Sequence, residues 1–419
     1  MKRKNKLAYK KFFADKSDPH RNPVLVNNSK NPLRLDLFFQ YVESKPPKSL
    51  SNGIFEIKIL PEYNPNYLCG IHTFSQIKEL QEYIKYLTEY SGRLRKIIIL
   101  LPNVFFVDSA TAILFSLCID YLIEKKPSVD LDIRVTKSEN CPGNSAYFQS
   151  FLHLISSFND KIAISKYKAL KNSFDISLEH KYFYKILLPS ENKMELSILE
   201  SDLYSFLTSL GSDNSFYEKI IAIISELVGN AIEHSQQPTL VFLKKLDAAS
   251  ESKCLYTINV LCFAEKKIFT ELSSNYCTDN QICSGRINDA YNYHKKSFDS
   301  QYRENHFFIT AALQPGITSR SRANSGGIGL PTFVENISDC VSYNDCYVIC
   351  ENEAIFFHNN LLGIKKDSQG VVQEIGLNKT NSFLNDIPDK EIIKDSPIFI
   401  NGVLYNIILV KNEAEVQDE

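Results

Sequence analysis

The 419-residue sequence lacks tryptophan, has only two methionines, and has no excess of charge of either sign. Its 47 basic side chains nearly balance 49 acidic ones, which leaves a net charge of −2. Such a chain has no general attraction for nucleic acid or for anionic lipid, so neither partner is expected. A basic stretch near the start is the local exception. We interpret residues 1–30 as a solvated tail, the alternative being a contact with RNA or an acidic partner.

Long apolar runs and paired cysteines are also lacking. No run reaches the roughly 18 apolar residues of a membrane span, and the first residues lack the apolar core of a secretory signal. The ten cysteines are scattered without a Cys-x-x-Cys pair, which excludes the usual zinc sites and argues against a disulfide framework. Several, such as Cys118, lie in apolar runs as buried reduced thiols do. A cytoplasmic protein is therefore expected.

The first part of the sequence alternates strand-like and helix-like segments. Residues 54–60 alternate apolar and polar side chains, whereas residues 74–90 carry apolar side chains at helical spacing. Residues 96–104 form a continuous apolar run, typical of a strand covered on both faces. Residues 108–126 begin with Asp-Ser, which favours a helix start, and continue as an apolar helix. This alternation predicts a small α/β domain over residues 31–160.

A second α/β unit is predicted over residues 165–412. Strand-like segments occur at 182–189, 238–246 and 255–264, and helix-like segments at 194–210 and 216–235. A polar insertion, residues 273–306, precedes a helix or loop and three or four further strand-like segments. The fold class is therefore α/β, with two units in series.

One predicted helix carries a line of polar side chains. Glu226, Asn230 and His234 are four residues apart, so they lie along one edge of the helix, beside its apolar stripe. Placing such groups beside a core is costly unless a polar ligand meets them. Magnesium fits, because it binds protein through few oxygen ligands and nucleotide phosphates. Asn230 would hold the metal and Glu226 would orient or deprotonate a water. The alternative is a solvent-exposed polar edge without a ligand.

A glycine-containing stretch about 90 residues later gives the second motif. Gly326, Gly327 and Gly329 stand directly before a helix-like segment that starts at Leu330. Glycines there let backbone N–H groups approach a phosphate, and the N-terminus of the following helix favours an anion. Further phosphate donors are expected from nearby side chains: Thr318, Ser319, Arg320 and Arg322. The alternative is a simple turn.

Together the two motifs resemble the GHKL superfamily of ATP-binding domains, which includes gyrase, histidine kinases and MutL. Glu226, Asn230, Ala231 and His234 match its N box, Glu-x-x-x-Asn-Ala-x-x-His, and residues 327–330 resemble its second glycine box. The resemblance implies a two-layer α/β sandwich of the Bergerat type over residues 165–412. It also implies binding of ATP and Mg²⁺, a lid formed by the 273–306 insertion, and homodimerisation as in many relatives. A disordered loop is the alternative for this insertion.

The chain departs from the superfamily at the first glycine box, Asp-x-Gly-x-Gly, whose aspartate bonds the adenine amino group. Cys262 stands in place of the aspartate and Ala264 in place of the first glycine. Because a thiol is a weak acceptor, loss of this contact is expected to weaken ATP binding by roughly 10- to 150-fold. Gly402 resembles the start of the family's closing Gly-Thr strand, but Val403 replaces the threonine.

Residues 96–115 resemble the STAS domain of anti-sigma-factor antagonists, in which an apolar strand precedes a helix that starts with Asp-Ser. The resemblance implies that Ser109 is a phosphorylation site and that this domain binds a protein partner. One of the family's two serines is replaced by Ala110, and the glycine is absent. The alternative is that Asp108 or Ser109 simply caps the helix.

Three functions follow from these resemblances. The first is a magnesium-dependent ATPase or nucleotide switch in bacterial signalling or defence, with the STAS-like domain as regulatory module. The second is a degenerate GHKL fold that serves as a protein-interaction scaffold. The third is a serine kinase of the anti-sigma-factor type.

Overall fold

The structure is a computed structural model that describes residues 32–59, 74–102, 108–136, 182–189, 194–211, 213–247, 253–268, 285–315, 329–338, 346–357 and 361–412. These residues form a mixed α/β protein with open sheets, which confirms the predicted α/β class. The boundary expected between the two units, near residue 165, lies outside the described residues.

Helices and strands follow one another along the chain much as the patterns predicted. The strands are β1 (Lys48–Ser51), β2 (Ile54–Lys58), β3 (Lys96–Pro102), β4 (Asp130–Thr136), β5 (Tyr182–Leu187), β6 (Thr239–Asp247), β7 (Lys253–Phe263), β8 (Tyr347–Phe356), β9 (Gly363–Lys366), β10 (Val372–Gly376) and β11 (Ile393–Asn412). The helices are α1 (Leu35–Phe38), α2 (Phe74–Glu89), α3 (Ser109–Lys125), α4 (Met194–Thr208), α5 (Asn214–Ser235), α6 (Gly285–His294), α7 (Glu304–Ala312) and α8 (Gly329–Ser338).

The N-terminal sheet has four strands in the order β1-β2-β3-β4. Strands β1 and β2 form an antiparallel pair, and β2, β3 and β4 run parallel. Parallel neighbours need a crossover connection. Helix α2 lies between β2 and β3 in the sequence, and helix α3 lies between β3 and β4. This is the strand–helix alternation that the sequence predicted.

The C-terminal sheet has five strands in the order β5-β6-β7-β11-β8, all antiparallel. Strands β7 and β11 pair along eleven residues, from Gly402 opposite Phe263 to Asn412 opposite Lys253. Side chains of these two strands enter both apolar cores, one on each face of the sheet. Strands β9 and β10 form a separate two-stranded hairpin.

Helix α3 is apolar on all sides because it lies between the two sheets. Every residue from Ser109 to Leu122 is buried. One continuous core joins Ile113 of this helix to Ile99 of the N-terminal sheet and to Leu404 of the C-terminal sheet. A helix without a polar face is stable only where both of its sides are covered. The sequence predicted an apolar helix, and the structure supplies the two surfaces that cover it.

The opposite face of the C-terminal sheet packs against a second group of helices. Side chains of α4, α5 and α8 share one apolar core with the inward side chains of β6, β7 and β11. The described chain therefore stacks in four layers: the N-terminal sheet, helices α2 and α3, the C-terminal sheet, and this second helix layer. One face of the C-terminal sheet thus packs against these helices, and its other face packs against the N-terminal unit.

Much of the polar insertion is folded, so the alternative of a disordered loop is wrong for residues 285–306. This stretch forms α6, a 3-10 turn at Lys295–Ser297 and the start of α7. His294 is fully buried, its Nδ1 2.5 Å from the Tyr302 hydroxyl and its Nε2 2.6 Å from the Phe383 carbonyl oxygen. Because the carbonyl can only accept, Nε2 carries the proton and Nδ1 accepts from Tyr302. The rest of the insertion, where a lid was also expected, lies outside the described residues.

The cysteines that the structure describes are free and buried, as expected for reduced thiols: Cys118, Cys254, Cys262, Cys346 and Cys350. Within the described ranges, no helix has the length and apolar character needed to cross a membrane.

Candidate functional site

Helix α5 is fixed by its ends and by its apolar stripe. Asp213 caps its N-terminus by accepting a 3.1 Å hydrogen bond from the Phe216 N–H, and Gln236 ends it in the left-handed conformation at φ 51°. The stripe is fully buried in the second core and comprises Ile220, Ile223, Ile224, Leu227 and Val228. The helix therefore cannot rotate without exposing this stripe, and its polar edge keeps one orientation.

Glu226 and Asn230 lie together on that edge, both half-buried. The Asn230 amide nitrogen donates a 2.7 Å hydrogen bond to Glu226 Oε1. With its nitrogen engaged, Asn230 presents its amide oxygen as the atom left to accept a hydrogen bond or to ligate a cation. His234 lies on the last turn of the same helix, but its side chain is not among those described.

Cys262 lies on β7 and is 3% exposed, with its thiol near the end of helix α5. Burial raises the pKa of this thiol, and hydrogen bonds with Val403 and with the Ser235 side chain lower it in part. The resulting pKa is about 11. The group at the expected aspartate position is therefore a neutral thiol at physiological pH. It can neither carry the negative charge nor offer the strong acceptor of a carboxylate.

Tyr405 on β11 is buried on the same face of the sheet as Cys262. Cys262, Val403 and Cys350 lie side by side across β7, β11 and β8, and Tyr405 follows two residues along β11, on the same face. Burial raises the pKa of Tyr405, and the nearby Cys262, Cys350 and Glu226 raise it further. Tyr405 is therefore near both Cys262 on β7 and Glu226 on α5. Sequence patterns gave no reason to select Tyr405.

Gly402 lets β11 approach β7 closely beside Cys262. Its φ is +146°, and a Cβ atom there would lie 2.0 Å from the Cys262 carbonyl oxygen. Only glycine fits this position. The closing-strand glycine chosen from the sequence is thus required by the backbone, whatever its role toward a ligand, and Val403 is half-buried beside it.

Ala264, just after β7, is held at two points by Asn401. The Ala264 N–H donates to the Asn401 carbonyl oxygen at 2.7 Å, and the Asn401 side-chain nitrogen donates to the Ala264 carbonyl oxygen at 2.7 Å. The Asn401 Oδ1 atom is buried without a hydrogen-bond partner among the described residues. This clamp fixes the backbone at the position of the first glycine of the expected box.

Most residues of the glycine stretch lie outside the described residues, namely Thr318, Ser319, Arg320, Arg322, Gly326 and Gly327. Helix α8 begins at Gly329 and continues through Leu330, as the sequence predicted. Its buried side chains, including Phe333 and Val334, share the core with α5, and the two helices are in contact. The glycines therefore directly precede a helix that packs on the helix bearing Glu226 and Asn230.

Ser109 is buried rather than presented to solvent. Asp108 is the cap of helix α3, accepting a 2.8 Å hydrogen bond from the Thr111 N–H, as the capping alternative expected. Ser109 is 1% exposed, and its hydroxyl is hydrogen-bonded to Asn259 Oδ1 on β7. Transfer of a phosphate to Ser109 would require the N-terminal unit to leave the sheet.

A partly buried charged cluster that sequence patterns missed lies at the edge of the C-terminal sheet, with His306 and Glu353 buried and Asp395 exposed. His306, Glu353 and Asp395 bring potential metal-ligand atoms within 4.8 Å of one another. However, His306 Nδ1 accepts a 3.1 Å hydrogen bond from the Arg303 N–H, so Nε2 carries the proton, which it donates to Glu353 at 2.6 Å. The Arg303 guanidinium also bonds both carboxylates. The cluster is thus an ion-pair network in which Arg303 supplies the positive charge.

Comparisons with known proteins found no matching family model, no matching curated protein and no matching solved structure.

Proposed function

We propose that the C-terminal unit binds magnesium–ATP between helix α5 and the end of the C-terminal sheet. The observation that carries this proposal is the pair formed by Glu226 and Asn230, joined at 2.7 Å on the polar edge of a helix whose other side is locked in the core. The resemblance to the GHKL superfamily and to its Bergerat fold supports a role for this pair in magnesium–ATP binding. An antiparallel sheet with helices α4, α5 and α8 on one face is compatible with that fold.

Asn230 and Glu226 have different roles in this proposal. Mg²⁺ is a hard cation that takes oxygen ligands and bridges protein to phosphates, and the Asn230 amide oxygen suits it. The Glu226 carboxylate, which accepts the Asn230 amide, would orient a water or take its proton during attack on the terminal phosphate. The glycines before α8 would offer backbone N–H groups to the phosphates. The proposed activity is ATP hydrolysis or an ATP-dependent switch.

The N-terminal unit, which we propose to be STAS-like, acts as a regulatory module in this scheme. Its helix α3 is covered on both sides, so a protein partner would have to bind elsewhere on this unit. Burial of Ser109 leaves the serine-kinase alternative without support within this chain, whereas a serine on a partner protein stays a possible substrate.

The scaffold alternative rests on Cys262. A neutral buried thiol replaces the carboxylate that would bond adenine, which removes an interaction worth roughly 1.5–3 kcal/mol. A fold that has lost nucleotide binding would retain the apolar core of α5 but would gain nothing from the Glu226–Asn230 pair.

Titration of the full chain with ATP, with and without Mg²⁺, tests nucleotide binding. We expect Asn230→Ala to weaken magnesium-dependent binding by roughly 10- to 100-fold, the range found when groups around a bound metal are altered. The matched control is Asn288→Ala, an exposed asparagine on helix α6. Equal, negligible binding by all three proteins would rule out the nucleotide site and favour the scaffold.

Hydrolysis is tested separately with Glu226→Gln, which keeps the size of the side chain and removes its basicity. A general base contributes about 10²- to 10⁴-fold, so turnover should fall by that amount while ATP binding persists. Glu218→Gln, an exposed change on the same helix, is the control. Equal turnover in both variants would remove Glu226 from the reaction and leave a binding switch.

A further inference from the structure

The loop at residues 264–268, directly after β7, is contacted from two sides. On one side, Glu265 Oε1 accepts a 3.4 Å hydrogen bond from the side chain of Gln237, which lies just beyond the end of α5. On the other side, the same oxygen accepts a 3.0 Å hydrogen bond from Arg34 of the N-terminal unit. Glu265 therefore links the helix of the proposed site to the N-terminal unit through one carboxylate.

The segment that reaches this loop, residues 32–42, is here called the brace. Besides Arg34, it contributes Tyr41, whose ring lies under the Lys267 ammonium at 4.8 Å from the ring centroid. Lys267 also lies 5.6 Å from the centroid of Phe399 on β11, and Tyr41 packs edge-on against that ring. The brace therefore contacts two charged side chains of the exposed loop, Glu265 through the Arg34 ion pair and Lys267 through the Tyr41 ring.

The root of the brace is buried, which gives these contacts a fixed base. Phe38 is 2% exposed and stacks on Phe263, the last residue of β7, with ring centroids 5.3 Å apart. Gln40 accepts a 3.4 Å hydrogen bond from Asn401, the residue that clamps Ala264. The brace thus contacts the end of β7, the clamp and the loop, all beside Cys262.

We propose that Arg34 and Tyr41 are positioning residues that order the 264–268 loop and thereby set the affinity of the site for magnesium–ATP. The inference rests on the proposed function, because it names how that site is regulated. Among the described residues, a change that loosens the brace leaves Glu265 with only the weak contact from Gln237 and Lys267 with only the contact to Phe399. The loop is then less ordered and must be ordered further when the nucleotide binds. Ordering at that moment costs entropy and weakens binding without altering the Glu226–Asn230 pair.

The test compares the double variant Arg34→Ala/Tyr41→Ala with Lys45→Ala in the full chain. Lys45 is the matched control because its exposed ion pair with Glu79, at 3.3 Å, lies wholly within the N-terminal unit. Hydrogen exchange of residues 264–268, measured without nucleotide, should be faster in the double variant only. The dissociation constant for magnesium–ATP should rise by about three- to tenfold, the size expected from one exposed ion pair and one cation–π contact.

Two further measurements separate positioning from a loss of folding. The urea midpoint of the double variant should stay close to that of Lys45→Ala, and Arg34→Lys/Tyr41→Phe should restore most of the affinity because it keeps the charge and the ring. Unchanged loop exchange overturns the proposal, and so does faster exchange with an unchanged dissociation constant. If the natural chain binds no nucleotide, the proposed function fails and the regulation fails with it. The exchange result still shows separately whether the brace orders the loop.

Discussion

The Tyr347 hydroxyl donates a 2.7 Å hydrogen bond to Asp108 Oδ2 and so joins the C-terminal sheet to the first turn of helix α3. Asp108 is 3% exposed, and burial raises the pKa of its carboxyl, while the hydrogen bonds from Thr111 and Tyr347 oppose that rise. Next to it, Ser109 bonds Asn259, which itself donates a 2.7 Å hydrogen bond to Asn406. Polar contacts of this kind, set in an apolar interface, fix how the two units dock.

Removal of the Tyr347 hydroxyl should weaken this docking. Tyr347→Phe leaves a buried carboxylate with one donor fewer, which typically costs about 1–3 kcal/mol of the free energy of unfolding. Urea denaturation measures that loss. The control is Tyr204→Phe, in which the ring is 43% exposed and the change is expected to cost under ~0.5 kcal/mol. Equal stability of the two variants would contradict the interface described here.

The two units should unfold together, because one apolar core runs through both sheets and helix α3. Since the chain has no tryptophan, single Tyr90→Trp and Tyr204→Trp substitutions can report on the N-terminal and C-terminal units separately. We expect coincident urea transitions. Leu117→Ala should lower both midpoints equally, with a cost of roughly 2–5 kcal/mol. Two separate transitions, only one of which responds to Leu117→Ala, would show that the units fold independently.

Gly402→Ala should be far more damaging than Gly370→Ala, although both glycines have positive φ, +146° and +81°. A Cβ at position 402 would lie 2.0 Å from the Cys262 carbonyl oxygen, whereas at 370 nothing lies within 4 Å. We expect about 1 kcal/mol of destabilisation at 370, from backbone conformation alone, and more than about 3 kcal/mol at 402. Thermal and urea unfolding of the two variants provide the comparison. Similar losses would mean that β7 and β11 can separate locally.

His294 should make stability depend on pH. Burial lowers the pKa of His294 below its ordinary value of 6.5, so the unfolded chain takes up a proton at a higher pH than the folded chain does. The stabilising contribution is therefore present above 6.5 and is lost as the pH falls through the lowered pKa. His294→Gln retains a donor for the Phe383 carbonyl but cannot titrate. Its free energy of unfolding, measured from about pH 7.5 to 5, should be lower at neutral pH and flatter than that of the natural chain. An equal slope in both proteins would place the pH dependence elsewhere.

Local structure followed closely from the sequence because it depends on neighbours along the chain. The apolar run at 96–104 became β3, Lys96–Pro102, and the periodic stretch at 216–235 became α5, Asn214–Ser235. The Asp108 cap was among the expected alternatives for the same reason, since an N-cap needs only the first helical turn. The alignment of Glu226 and Asn230 also followed, because it is a property of helical period.

Contacts between residues far apart in the sequence could not be predicted from local sequence patterns. The uniform apolarity of helix α3 indicated burial, but not that two different sheets would provide it. The ion-pair network of Arg303, Glu353 and Asp395 joins residues up to 92 positions apart, and no local pattern identifies such partners. For the 273–306 insertion, the sequence left a lid and a disordered loop open as alternatives. Part of it is folded, and His294 there forms hydrogen bonds with the Tyr302 hydroxyl and with the distant Phe383 carbonyl oxygen.

The covering of helix α3 on every side limits how this chain can be divided. Without the residues that precede β5, one face of the C-terminal sheet would expose apolar side chains to solvent, including Leu240, Phe242 and Leu261. Surfaces of that kind drive self-association in water. The C-terminal unit is therefore not a portable module. A fusion protein that contains the C-terminal unit must therefore also contain helix α3 if it is not to self-associate.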